Sequence, residues 1–139
     1  MRIKIFIFSL AAALLCLPAD LNAQTQSEMA TFNPAFAHTV YFWLHNPDKA
    51  EDRKAFEESL SRFLSRSQYA KTNFIGTPPQ ASREVVDGSF TYSLIVSFES
   101  AEAQAAYQAE QPHLDFIAES QHLWKKVIVY DSVGIGQGD

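Results

Sequence analysis

Four histidines, His38, His45, His113 and His122, are the side chains of this chain best suited to moving protons near neutral pH. No H-x-H or H-E-x-x-H spacing places two of their ring nitrogens on one metal ion, so neither a metal site nor a bound cofactor is expected. The single cysteine, Cys16, supports neither a disulfide framework nor a Cys-based zinc site. A formal net charge of −5 and a pI near 5.3 argue against nucleic acid or an anionic membrane as partner, because an acidic surface releases no counterions from either. Hydrophobic residues at 47% against 19% charged are a folding composition, and aromatics at 13% can fill a small core. The 139 residues suit one domain.

The N-terminus reads as an address rather than as structure. Arg2 and Lys4 precede an apolar run from Ile5 to Leu17, Pro18 breaks it, and Leu21-Asn22-Ala23 ends on the small residue a signal peptidase requires. The run falls short of the roughly 20 apolar residues that span a bilayer. Residues 1–23 are therefore expected to be a secretory signal peptide, and the protein periplasmic or secreted, with no stable membrane insertion once the signal is removed. Leu15 stands before Cys16 where a lipoprotein has a small residue, which argues against lipid attachment there. Cleavage removes the only cysteine, and a thiol-free chain suits an oxidising compartment. Residues 24–36 are polar and aperiodic, a linker, and Gly134, Gly136 and Gly138 mark residues 134–139 as a flexible tail.

Between these ends the patterning gives the order βαββαβ. Ala37–Leu44 alternates as a strand, with His38, Val40, Phe42 and Leu44 on one face and Thr39, Tyr41 and Trp43 on the other. Asn46-Pro47-Asp48 opens a helix, where Asp48 and Glu51 form an acidic variant of a capping box. Its stripe is Phe56, Leu60, Phe63 and Leu64, while Arg53, Glu57 and Arg62 are expected to face water. Thr72–Thr77 is a second strand, ended by Pro78-Pro79, and Asp87-Gly88 is a turn signal in the loop that follows. Phe90–Phe98 is the third strand, with Tyr92, Leu94, Val96 and Phe98 on one side. Ser100 caps a second helix whose inward stripe is Ala103, Ala106 and Tyr107, and Pro112 interrupts it. A further helical stretch carries His113, Phe116, Ile117 and Trp124, and Val127–Val133 closes the sheet.

This order predicts an α+β ferredoxin-like sandwich, its helices on one face of an antiparallel sheet. The other face would then present Thr39, Tyr41, Trp43, Ser93, Ile95, Ile128 and Tyr130, too apolar to leave in water. A second copy of the same sheet is the simplest cover, so a homodimer is expected.

The segment 37–133 resembles the stress-responsive dimeric α/β-barrel (Dabb) family. The resemblance rests on His38-Thr39-Val40-Tyr41-Phe42-Trp43-Leu44, Ser97-Phe98-Glu99-Ser100, Ala106-Tyr107, Pro112-His113-Leu114-Asp115-Phe116 and Leu123-Trp124-Lys125-Lys126-Val127-Ile128-Val129-Tyr130-Asp131, in order across the domain. It implies two sheets closing into a dimeric α/β barrel, with a pocket in each subunit between sheet and helices. A plant polyketide cyclase of the family works by acid–base chemistry, and its pattern carries over to His113 and Tyr107 as catalytic candidates. An imidazole can take a proton alpha to a carbonyl, and a phenol can hydrogen-bond the developing enolate. On an unbroken helix the two would lie about 120° apart; Pro112 breaks the helix between them, which permits convergence on one pocket without requiring it. His38 would point into the same pocket, lined by Val40, Phe42, Leu60, Tyr92, Leu94, Phe116, Trp124, Val127 and Val129. Tyr92 stands where the cyclase has another histidine and Leu60 replaces a pocket tyrosine, so the ligand must differ.

Structural roles stand beside these. His113 can cap the helix break, Tyr107 can be a core aromatic, and His38 can pack under the helices. Two functions follow: a dimer binding a small apolar or aromatic ligand, which the sequence favours, or a cofactor-free lyase, cyclase or monooxygenase acting through His113 and Tyr107. Convergence of the three rings on open space would support the second.

Overall fold

A computed structural model describes residue 32 and residues 35–135, apart from 71 and 82. The expected signal peptide over 1–23 with Cys16, most of the expected linker and most of the expected tail lie outside the described residues. The elements are β1 (Phe36–Leu44), α1 (Ala50–Arg66), β2 (Thr72–Gly76), β3 (Tyr92–Phe98), α2 (Ala101–Ala109), α3 (Gln111–Ser120) and β4 (Trp124–Val133). The strands form one antiparallel sheet in the order β2-β3-β1-β4. This is the ferredoxin-like α+β arrangement the patterning predicts.

Alternation places the core. Phe36, His38, Val40, Phe42 and Leu44 of β1 and Tyr92, Leu94, Val96 and Phe98 of β3 are buried against the helices. Phe56, Leu60, Phe63 and Leu64 of α1 meet them, spaced so that one stripe faces inward. The aromatics interlock: Phe63 stacks on Phe116 with centroids 5.4 Å apart, and Phe56 on Tyr92 at 4.9 Å. Ser100 caps α2 by accepting from the Ala103 N–H at 3.2 Å. The proline break falls at Glu110, whose extended backbone ends α2 and starts α3 with Pro112 in the first turn, where no donor is missed. The Glu110 carboxylate accepts from the Ser67 hydroxyl and, at 3.0 Å, from the Gln68 N–H, tying the break to the chain leaving α1.

Four local expectations change. The Asp48–Glu51 box does not form: α1 starts at Ala50 after Lys49, and Asp52 takes up Lys49 at 2.8 Å and Asn46 at 2.9 Å instead. A carboxylate in the first turn complements the helix dipole as well as a cap does. Trp124 opens β4 rather than closing a helix, because its backbone pairs with Leu44 across a register shift. The third strand starts at Tyr92, since the Thr91 N–H and hydroxyl turn back to Phe42 and Leu44. Arg53 and Glu57 also do more than face water: Glu57 accepts from the Tyr92 hydroxyl, and Arg53 lies 4.9 Å over the Tyr92 ring.

On the helix-free face, Thr39, Tyr41, Trp43, Ile95 and Ile128 are only half-buried, and Phe74 and Tyr130 are exposed. Among the described residues no helix or further strand covers this apolar face.

Candidate functional site

The register of β1 between its neighbours sets His38 opposite Val96 on one side and Asp131 on the other. Its ring is buried, and Nδ1 lies 2.6 Å from Asp131 Oδ1. A carboxylate accepts, so Nδ1 is the donor in this contact. Tyr107 of α2 packs over this ring with centroids 5.8 Å apart, and His113 of α3 lies 5.2 Å from Tyr107. The break at Pro112 thus does what the carried-over pair requires: two side chains that a straight helix would splay now touch.

Two of the three rings are closed off from solvent. Tyr107 is 1% exposed, and its hydroxyl is driven above the ordinary phenol range by burial and then by the Glu110 charge, so it stays protonated. Half-buried His113 packs on Phe63, and its Nδ1 is buried with no partner among the described residues. Burial, then the nearby His38, hold its pKa below the usual histidine value; Glu110 and the Gln108 carbonyl partly oppose this. The three rings converge on one another.

Open space lies beside them. Val127 and Val129 pair with Phe42 and Val40 and share their inward face. The β1 residues are 3–4% exposed, yet Val127 and Val129 are 43% and 47% exposed. The helices therefore cover β3 and β1 but leave the inner face of β4 bare. Alternation carries this apolar ledge on to Asp131, whose side chain is 42% exposed. Half-buried Trp124 stands at its other end. Among the other proposed lining residues, Val40, Phe42, Leu60, Leu94 and Phe116 are closed in the core. Tyr92 is also buried, with its hydroxyl on Glu57. His45 and His122 are exposed.

Asp131 is the member of the candidate site that sequence reasoning missed. The alternation of Val127, Val129 and Asp131 signalled a shared face, but its pairing with His38 depends on a strand register no local pattern reveals. Among the described residues no group of three or more His, Cys, Asp or Glu side chains is placed to hold a metal ion, and no helix is long and apolar enough to cross a membrane.

An antiparallel sheet in the order β2-β3-β1-β4, with helices on one face over a buried His–Tyr–His cluster, belongs to the ferredoxin-like α+β class. More narrowly, the chain belongs to the stress responsive A/B barrel domain (Dabb) family, whose model matches residues 36–133. No curated protein matches it. Among solved structures it is similar to a hydroxynitrile lyase from Passiflora edulis (16% identity, TM-score 0.63, covering 77% of this chain and 100% of that one). It is also similar to a protein from Arabidopsis thaliana (20% identity, TM-score 0.61, 74% and 98%) and to a dimeric ferredoxin-like protein of unknown function from Thermobifida fusca (13% identity, TM-score 0.57, 70% and 89%). At these identities the likeness is one of fold.

Proposed function

We propose that this chain is an exported homodimer that holds a small apolar or aromatic molecule on the bare inner face of β4. The observation that carries the reading is the contrast between Val127 and Val129, nearly half exposed, and their covered cross-strand neighbours Phe42 and Val40. An apolar body laid on the ledge removes that surface from water. A hydroxyl or amide at its end can donate to Asp131, whose other oxygen bonds His38. Apolar lining with one placed polar group is the ordinary make-up of a small-molecule site.

The test is a titration with the neutral fluorophore N-phenyl-1-naphthylamine. Saturable binding that weakens severalfold in a Val127→Thr, Val129→Thr double variant supports the reading. Absence of binding, or binding unchanged in that variant, overturns it. The helix-free face supports the dimer, as does the dimeric state of the relative from Thermobifida fusca. Light scattering that gives a stable monomer at micromolar concentration overturns that part. Export rests on the layout of residues 1–23. Mass spectrometry of the exported protein is expected to find Ala23 removed, and an intact Met1 refutes it.

The His38–Asp131 pair favours a second reading, acid–base turnover. Here Asp131, rather than His113, takes a proton from a ligand on the ledge, and His38 stabilises and orients the carboxylate. The lyase from Passiflora edulis makes an aromatic cyanohydrin the first substrate to try. Cyanide release from mandelonitrile that is lost in Asp131→Asn supports this reading, and its absence in the wild type leaves binding alone.

A further inference from the structure

At the opposite end of the sheet, about 20 Å along β4 from Asp131 at roughly 3.3 Å per strand residue, lies a cavity of about 430 Å³ that Val127, Val129 and Asp131 do not line. We propose that it is a second binding site, for a small carboxylate with a flat apolar body. This goes beyond the ligand site proposed above and does not depend on it, although its wall residue Trp43 also belongs to the face given to the dimer.

Arg53 carries the inference. The other basic side chains of α1 and its cap, Lys49, Lys54, Arg62 and Arg66, each face a carboxylate, on Asp52, Glu58, Glu119 and Asp115 respectively. Arg53 has no carboxylate partner among the described residues. It is half-buried and held in place, stacked over Tyr92 at 4.9 Å, with Nη1 donating to the Pro47 carbonyl at 3.2 Å. A guanidinium offers five donors, so an oriented one without a carboxylate is an acceptor site already assembled. It lines the cavity together with Lys125, which likewise has no carboxylate partner among the described residues. Asp48 is the one acidic residue there, leaving a local excess of positive charge on a chain of net charge −5. Such a focus draws anions rather than cations. The remaining walls include Trp43, Phe90 and Pro78, apolar faces that suit an aromatic ring better than a hydrated inorganic ion.

Benzoate is the probe and benzamide, of the same shape but neutral, the control, with the indole N–H resonance of Trp43 in the full mature protein as readout. Benzoate is expected to shift that resonance saturably, while benzamide does not. Lys125→Gln should weaken binding a few-fold and Arg53→Gln about tenfold, the scale of a charge-assisted contact. Lys125 is exposed, so its variant folds even if Arg53→Gln unsettles Tyr92. The proposal is overturned by an absence of saturable shift up to about 20 mM benzoate, well past millimolar affinity. An equal response to benzamide, or unchanged affinity in Lys125→Gln, overturns it as well.

Discussion

Removing the Asp131 carboxylate isolates the contact on which the site is organised. The His38 side chain is 4% exposed and that of Asp131 42%, with 2.6 Å between Nδ1 and Oδ1. Asp131→Ala leaves a buried N–H without its acceptor, which costs about 1–3 kcal/mol. Because the Asp131 end is open, water can replace part of the carboxylate, and the lower end of that range, about 1–1.5 kcal/mol, applies. For a domain of this size that is a fall in Tm of about 5–10 °C. Asp131→Asn keeps an acceptor oxygen and should cost about half as much. In a His38→Phe background, Asp131→Ala should cost almost nothing, so a double-mutant cycle returns a coupling of about 1 kcal/mol. Nitrogen NMR of the imidazole supplies an independent readout. In the wild type Nδ1 should carry a proton donated to Asp131, and in Asp131→Ala the Nδ1–H should lose population to Nε2–H. Equal losses in the two backgrounds, or a Tm lowered by less than about 2 °C, would refute the reasoning.

Three further expectations concern the rest of the molecule. The folded-state pKa of His113 lies below its ordinary value near 6.5, so the unfolded chain binds the extra proton first. Stability should therefore fall as pH drops below about 6.5 and level off once pH is under the folded value; pH-resolved melting curves should lose that step in His113→Gln. Tyr92→Phe keeps the ring on Phe56 but deletes the bond to exposed Glu57, and should cost about 1 kcal/mol by denaturant unfolding. Trp43→Asp puts a charge on the helix-free face next to Tyr41 and Ile128 and should turn a dimer into a monomer by light scattering, with the far-UV spectrum unchanged.

The sheet and its helices were legible because burial leaves a periodic mark. His38, Val40, Phe42 and Leu44 alternate, Phe56, Leu60, Phe63 and Leu64 fall on one stripe, and Ser100 and Pro112 punctuate the helices where they stand. Each is a local consequence of strand or helix geometry, readable within a few residues. The same geometry exposed the apolar face that a partner must cover. The site was legible only in its members. His38, Tyr107 and His113 were named from the sequence, yet whether their rings meet depends on the angle that Pro112 and Glu110 impose between α2 and α3. That Val40 and Phe42 are sealed while Val127 and Val129 stand open depends on how far the helix layer reaches across the sheet. Alternation cannot report this, because all four residues carry the same inward-facing signature. The pairing of Asp131 with His38 joins positions 93 residues apart through strand register. Contacts of that range are made by packing, and they decide which carboxylate meets a histidine and which rings lie against one another.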